Sequence, residues 1–314
     1  MKIIRSEAIA FLKEHDNYLI LSHQYPDGDT LGSAFALCRL LRRLGKKANV
    51  ECNDPIPPRF SYLHADLPKQ SFEPECVTAV DVADTKLLGS RLNKLYGDKI
   101  QLCIDHHGSN LEYAEKLLLD ANAGAVGEMI FEIYRDIGVP LDKPAAEALY
   151  TAIATDTGCF KYSNTTPKTL RISAELMELG VNVEGINRLM FDLNSKARLA
   201  LQVMILDSLR YDLNGRCASI FITKEMLERT GATDDEIEGF SSLPRTIEGV
   251  DCGITFRESD DGFKISVRTT SALNACEICR SLGGGGHPAA AGCRADSPLE
   301  AAYQQVIAAV KKFL

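Results

Sequence analysis

Asp105-His106-His107 follows directly on the apolar run Ile100 to Ile104, so a carboxylate and two imidazoles stand where a buried strand would stop. Imidazole is a ligand for Zn, Mn, Fe, Co and Ni, and accompanying carboxylates shift the choice towards Mn or Mg. The chain supplies such acids. His23, Asp27 and Asp29 follow the run Tyr18 to Ser22, and the intervening Pro26 and Gly28 can turn the chain so that the three side chains converge. Asp81 ends the run Val77 to Val80, and Asp156 follows the apolar-rich stretch Leu149 to Thr155. A bare carboxylate there is costly unless it is paired or metal-bound.

Each acid alone has a plainer reading, since Asp27 or Asp29 could cap the next helix and Asp81 or Asp156 could serve as a cap or an ion-pair partner. Their joint placement points elsewhere. Clustered carboxylates repel one another, whereas two divalent ions would balance their charge. Two ions sharing a bridging hydroxide could clamp the phosphoryl oxygens of an in-line displacement, which is phosphate ester or anhydride hydrolysis. Oxygen-rich ligation with two imidazoles suits Mn²⁺ best, with Mg²⁺ or Co²⁺ as alternatives.

The elements that must position these groups read as α/β. In the first half, strands at Tyr18 to Ser22, Ala48 to Glu51, Val77 to Asp81, Ile100 to Ile104 and Lys116 to Leu119 alternate with amphipathic stretches, including a helix over Thr30 to Leu44 closed by Gly45. That alternation predicts a mostly parallel sheet flanked by helices, with ligands bound at the carboxyl ends of its strands. Helices dominate from Val126 to Leu209, and Asn194 to Arg210 reads as a connector. Beyond Asn214-Gly215 come strands at Cys217 to Ile222, Val250 to Arg257 and Phe263 to Thr269, an acidic stretch from Thr233 to Glu238, and two helices flanking a glycine loop. This is a second, smaller α+β domain. The expected division is a catalytic domain over 1–190, a helical linker over 191–212 and a C-terminal domain over 213–314.

Composition limits the partners. A length of 314 residues accommodates two domains, and 35 basic against 43 acidic residues give a net charge of −8, which argues against a long duplex as partner. Met1 to Ala10 lacks the apolar core of a signal peptide or membrane span, so a cytoplasmic location is expected. Most of the ten cysteines sit inside apolar patterns, as reduced core thiols do, and the single Cys276-x-x-Cys279 lacks the second pair a structural zinc site would use.

Taken in order, His23-x-x-x-Asp27-x-Asp29, Asp81 within residues 79–84, Asp105-His106-His107, and Asp156 within residues 154–158 resemble the four motifs of the DHH phosphoesterases. Ser266-Val267-Arg268 and Gly283 to Pro288 are similar to the DHH-associated domain of NrnA-like oligoribonucleases (nanoRNases) and pAp phosphatases. The resemblance spans nearly the whole chain. It implies that His23 and Asp27 hold one Mn²⁺, that Asp29, His106 and Asp156 hold a second, and that Asp81 bridges both. It makes Asp105 the residue that orients its neighbouring histidine, and turns His107 towards the scissile phosphate. Arg268, Gly284, Gly285, Gly286 and His287 would bind substrate, with the active site in a cleft between the domains.

The resemblance also implies the substrate class. RecJ-type exonucleases carry an added nucleic-acid-binding domain, and related cyclic-dinucleotide phosphodiesterases carry membrane and sensory segments. Neither is expected for this chain. The expected substrates are short single-stranded oligonucleotides, linear dinucleotides such as pApA, or pAp, cut to 5′-mononucleotides. An inorganic pyrophosphatase or exopolyphosphatase is the alternative enzyme, against which the Gly283 to Pro288 loop argues. A non-catalytic metal- or nucleotide-sensing module would be expected to have lost a ligand, and none of the six is missing, whereas a purely RNA-binding role for the C-terminal half stays open as an alternative. A homodimer is compatible with the sequence, though no residue demonstrates one.

Overall fold

The computed structural model describes residues 1–237, 239–270, 272–296 and 298–314. It divides into two compact units, Met1–Leu193 and Asn194–Leu314. In the first, α1 (Arg5–Glu14), β1 (Tyr18–Leu21), α2 (Gly28–Arg43), β2 (Ala48–Glu51), β3 (Cys76–Val80), α3 (Gly89–Tyr96), β4 (Leu102–Asp105) and β5 (Lys116–Leu119) precede a helical segment. That segment comprises α4 (Val126–Ile137), α5 (Lys143–Asp156), α6 (Pro167–Glu178) and α7 (Val183–Asn187).

All four strand pairings of the first sheet are parallel, in the order β2-β1-β3-β4-β5. Parallel strands covered on both faces carry no polar alternation, which is why β1, β3 and β4 are buried along their whole length. Successive side chains point to opposite faces, so Tyr18 and Ile20 join the core with α2, α4 and α5, while Leu19 and Leu21 join the core with α3. The strand order reverses between β1 and β3. A crevice opens at such a switch point, beyond the strands' carboxyl ends, and His23 and Asp81 leave the sheet there.

The second unit begins with α8 (Lys196–Asp207) and continues through β6 (Arg210–Asp212), β7 (Cys217–Ile222), α9 (Lys224–Thr230), β8 (Cys252–Ser259), β9 (Gly262–Thr269), α10 (Ala275–Arg280), β10 (Gly285–His287), β11 (Ala290–Ala295) and α11 (Leu299–Val310). Its sheet has the order β10-β11-β9-β8-β7-β6, with β7 and β8 parallel and the other pairs antiparallel. One face is closed by α10 and α11 over Ile254, Phe256, Ile265 and Val267. On the opposite face Leu201 and Ile205 of α8 pack with Ile220 and Ile222.

This packing changes two expectations. The segment expected as a linker, 191–212, is not one piece: α8 buries Leu201 and Ile205, one turn apart, in the second unit's own core, and residues 210–212 form the edge strand β6. The glycine run is also not simply a loop between helices, because Gly285, Gly286 and His287 pair antiparallel with Gly292, Ala291 and Ala290 of β11, and β11 pairs with β9. Glu238, at the end of the acidic stretch Thr233 to Glu238, lies outside the described residues. All ten cysteines are unpaired thiols, and Cys276 and Cys279 are buried in the core beneath α10. Among the described residues no helix is long and apolar enough to cross a membrane.

Candidate metal centre

Three strand ends and two helix ends deliver the polar residues of the first unit. Asp27 caps α2 through Oδ1, which accepts from the backbone N–H groups of Asp29 and Thr30 at 3.1 Å each. Its Oδ2 lies 3.6 Å from His23 Nε2, so the cap and ligand readings of Asp27 apply to different oxygens. Thr30 donates its hydroxyl to Val80 O at 3.0 Å, which ties the start of α2 to the end of β3. Asp29 and Asp156 meet because α2 and α5 cross closely. A Cβ on Gly32 would sit 2.3 Å from Ala148 O, and one on Gly28 would sit 2.4 Å from Thr155 Oγ1. Only glycine permits that approach.

Asp29 is buried, and its carboxylate accepts from Val126 N–H at 2.7 Å, Gly127 N–H at 3.1 Å and Ser33 Oγ at 2.8 Å. The two amides open α4, whose N-terminus favours an anion. Asp81 follows β3 with φ of 60°, a left-handed conformation that Asp tolerates better than most side chains. Its Oδ1 is buried and accepts no hydrogen bond from the protein, yet lies 3.5 Å from His107 Nδ1 and 3.7 Å from His106 Nε2. Its Oδ2 lies 3.8 Å from His23 Nε2.

The ring orientations are fixed from behind. His23 Nδ1 contacts Gln24 O at 2.8 Å and His106 Nδ1 contacts Ala123 O at 3.0 Å. A ring nitrogen that meets a carbonyl must donate, which leaves each Nε2 with a lone pair aimed at the carboxylates. From His106 Nε2, Asp29 Oδ2 is 3.8 Å away and Asp156 Oδ2 is 3.6 Å away. Asp105 differs from the other acids because both oxygens are engaged: Oδ1 accepts from the backbone of His106 and His107 and from His107 Nδ1 at 2.8 Å, and Oδ2 accepts from Asn110 at 2.6 Å. Its oxygens are therefore committed to hydrogen bonds with its neighbours, one of them to the His107 ring.

Burial, then mutual repulsion, sets the protonation of this cluster. Burial and the nearby charge of Asp156 push Asp29 up to about 7. Burial and the neighbouring aspartates Asp29 and Asp27 push Asp81 well above the usual carboxylate range, and burial also raises Asp156. Burial would raise Asp105 too, but its hydrogen bonds from His107 and Asn110 outweigh that and hold it low. The Asp105 hydrogen bond lifts His107, whereas in His23 the contacts with Asp27 overcome the opposing effect of burial.

Three groups of ligand atoms each lie within 4.8 Å of one another: His23, Asp27 and Asp81; Asp29, His106 and Asp156; and Asp81, His106 and His107. Nitrogen-to-oxygen separations of 3.5 to 3.8 Å are too long for good hydrogen bonds and suit donors arranged about a shared cation. The partnerless Asp81 Oδ1 fits the same conclusion, since a buried polar atom normally has a partner. The donor set, aspartate oxygens with imidazole nitrogens, is therefore chemically suited to divalent metal. Asn110, Ser33 and the α4 amides were not singled out from sequence. Ser33 stands one helical turn after Asp29 and Asn110 three residues after His107, which are local spacings that could have flagged them.

In the second unit, His287 faces Ala290 across β10 and β11, and Ala290 faces Arg268 across β11 and β9. Directly opposed residues share a sheet face, so His287 and Arg268 stand on one side with only a small side chain between them. Gly285 has open space where a Cβ would be, whereas a Cβ on Gly284 would sit 2.2 Å from Gly292 O and one on Gly286 would sit 2.6 Å from Ala291 Cα. Strand packing alone thus accounts for glycine at 284 and 286.

The model of the DHH family N-terminal domain matches residues 17–153, and that of the DHHA1 domain matches residues 218–314. The chain is 33% identical over 302 residues to the bifunctional oligoribonuclease and PAP phosphatase NrnA of Thermus thermophilus, covering 94% of this chain and 89% of that one. It is 29% identical over 296 residues to the Bacillus subtilis protein of the same name, with 92% of each covered. The crystal structure of an exopolyphosphatase-related protein from Bacteroides fragilis has the same fold, with a TM-score of 0.87 at 23% identity and coverage of 98% and 96%. With its ordered motifs and both domain matches, the chain belongs to the DHH phosphoesterase family.

Proposed function

We propose that this chain is a Mn²⁺-dependent two-metal phosphoesterase that cuts short oligonucleotides or linear dinucleotides to 5′-mononucleotides and also converts pAp to AMP. The observation that carries the reading is Asp81, whose oxygens stand among His23, His106 and His107 with one of them buried and partnerless. Asp81 would hold both ions, His23 and Asp27 one of them, and Asp29, His106 and Asp156 the other. Divalent ions so held would polarise phosphoryl oxygens and supply an attacking water made acidic enough to ionise near neutral pH. The oligoribonuclease and PAP phosphatase named among the relatives support this substrate class.

The chain's own groups have definable tasks. Asp105 fixes the His107 ring through Nδ1 and, by favouring its protonated form, prepares Nε2 to donate to a phosphoryl oxygen. The half-exposed His107 can reach a ligand while the fully buried Asp105 cannot. Arg268 and His287 are proposed to bind substrate phosphate, and Gly285 leaves its backbone open beside them. A Mn²⁺ assay should compare pApA, pAp, a long single strand, pyrophosphate and polyphosphate. Turnover of pApA or pAp well above the others is expected. Hydrolysis of pyrophosphate alone would overturn the nucleotide reading.

A further inference from the structure

Between His23 and Asp27 stands a tyrosine in an unfavourable setting. Tyr25 is 80% exposed, more than any other large apolar or aromatic side chain among the described residues. Its φ of 52° is left-handed, a conformation that strains a bulky residue. Two neighbouring loops hold it there: Gln24 N–H donates to Leu87 O at 2.6 Å, and Tyr25 N–H donates to Asp54 Oδ2 at 2.9 Å. Asp54 is fixed in turn, its Oδ1 accepting from Asn53 Nδ2 at 2.9 Å. His23, on the other side, is tied to the same loop through its carbonyl, which accepts from Cys52 Sγ at 3.2 Å. Among the described residues the Tyr25 hydroxyl makes no hydrogen bond and its ring packs on no other ring. A single exposed aromatic is ordinary on a protein surface. One that the backbone pins in a strained conformation, two residues from each of two proposed metal ligands, is not explained by folding and points to a use at the site.

On the reading that this centre cuts a nucleotide phosphoester, we propose that Tyr25 is a stacking platform for a nucleobase flanking the scissile phosphate, a base subsite within the first unit. His23 Nε2 and Asp27 Oδ2 lie 3.6 Å apart, and two residues of chain span at most about 7 Å, so Tyr25 stands within a side chain's reach of a phosphate held at those ligands. In a nucleotide only a sugar separates base from phosphate. Base and ring can therefore meet while the phosphoryl oxygens face the ions. The phenol ring offers a flat apolar face to any base, and such stacking does not depend on base identity. Because the loop is already held by Leu87 and Asp54, little ordering is left to oppose binding. The occupant follows from the chemistry on either side. Ligands around a metal hold a phosphoryl group whatever it is attached to, so they discriminate poorly between a nucleotide and pyrophosphate. An aromatic face adds affinity only for a substrate that carries a base.

The test compares Tyr25→Phe, Tyr25→Leu and Tyr25→Gly in the full chain with Mn²⁺, on pApA, on pAp and on an abasic analogue of pApA that lacks both adenines. Tyr25→Phe should keep the KM for pApA within about two-fold, because the ring and not the hydroxyl does the stacking. Tyr25→Leu and Tyr25→Gly should raise it by about 5- to 100-fold. On the abasic analogue the variants and wild type should agree within about two-fold. A parallel loss on pAp would assign the stacked base to the nucleotide whose 3′ oxygen leaves, and a loss on pApA alone would assign it to the other. Tyr25→Gly should melt no lower than wild type, since glycine accepts the left-handed conformation without strain, so its weaker binding is not a folding defect. Tyr25→Trp would be the sole tryptophan of a chain that has none, and its emission should be quenched by a non-hydrolysable pApA analogue but not by pyrophosphate. Equal losses on pApA and its abasic analogue, or a wild-type KM for pApA in Tyr25→Leu, would overturn the subsite. If the dinucleotide analogue quenches the tryptophan while no nucleotide is hydrolysed, the subsite stands and the proposed activity falls.

Discussion

Removing metal should make the stability of the first unit fall as pH rises, a direction opposite to ordinary acid denaturation. Asp29 has a folded value of about 7 against 3.8 for an ordinary aspartate, and it is only 1% exposed, so solvent does little to soften the shift. A raised folded value means that the native state holds the proton more tightly, so this stabilisation is fully present below the unfolded value and is lost as pH rises through the folded one. The difference of about three pH units corresponds to about 4 kcal/mol, most of which is lost between pH 5 and pH 8, on the order of 3 kcal/mol. Asp81 and Asp156 are raised and act in the same direction. So do His23 and His107, whose raised folded values add stability below the unfolded value that disappears at higher pH. Asp105 is lowered and acts only below about 4.

For a unit of this size, about 3 kcal/mol corresponds to roughly 6 to 12 °C in Tm. Calorimetry of the full chain in EDTA at pH 5, 6, 7 and 8 should therefore show the transition of the first unit moving down by at least that range, and Mn²⁺ should restore it most at pH 8. At a hundredfold excess over Kd each ion adds about 2.7 kcal/mol. Asp29→Asn should flatten the EDTA profile, although its Tm at pH 5 should drop because an amide cannot accept from both Val126 and Gly127 as the carboxylate does. A metal-free Tm that stays level or rises from pH 5 to pH 8 would refute the electrostatic reasoning.

Asp81→Ala should lose bound metal by elemental analysis and reduce turnover by more than about 100-fold, because it removes oxygens that face three histidines; full turnover with both ions retained would contradict the bridging role. Asp105→Asn should keep its metal but lower kcat by about 10- to 100-fold, and shift the limb of the pH–rate profile belonging to His107 to lower pH, which a purely structural defect would not do. Gly32→Ala should destabilise the first unit by about 1 to 3 kcal/mol, because its Cβ would press on the Ala148 carbonyl; a melting temperature equal to wild type would show that α2 and α5 can separate without cost.

The residues proposed as ligands were legible where a buried parallel strand stops, because strands covered on both faces are apolar-rich and the first charged or imidazole residue after each one is conspicuous. His23, Asp81 and Asp105 all stand at such endings. The union of Asp29 with Asp156 was less accessible to sequence reasoning, since it depends on the crossing distance of α2 and α5, which Gly28 and Gly32 set through contacts about 120 residues away in the chain. The edge hairpin was hidden for a different reason. Gly285 and Gly286 offer no side chain from which a strand could be read, and β10 exists only through its pairing with β11. That pairing also changes how the run of glycines is to be interpreted. Gly284 and Gly286 are required by the neighbouring backbone whether or not a phosphate ever binds, so glycine identity there is poor evidence for a ligand. The row formed by His287, Ala290 and Arg268 is better evidence, because packing of the sheet requires neither charge, and both lie on the face opposite the one covered by α10 and α11.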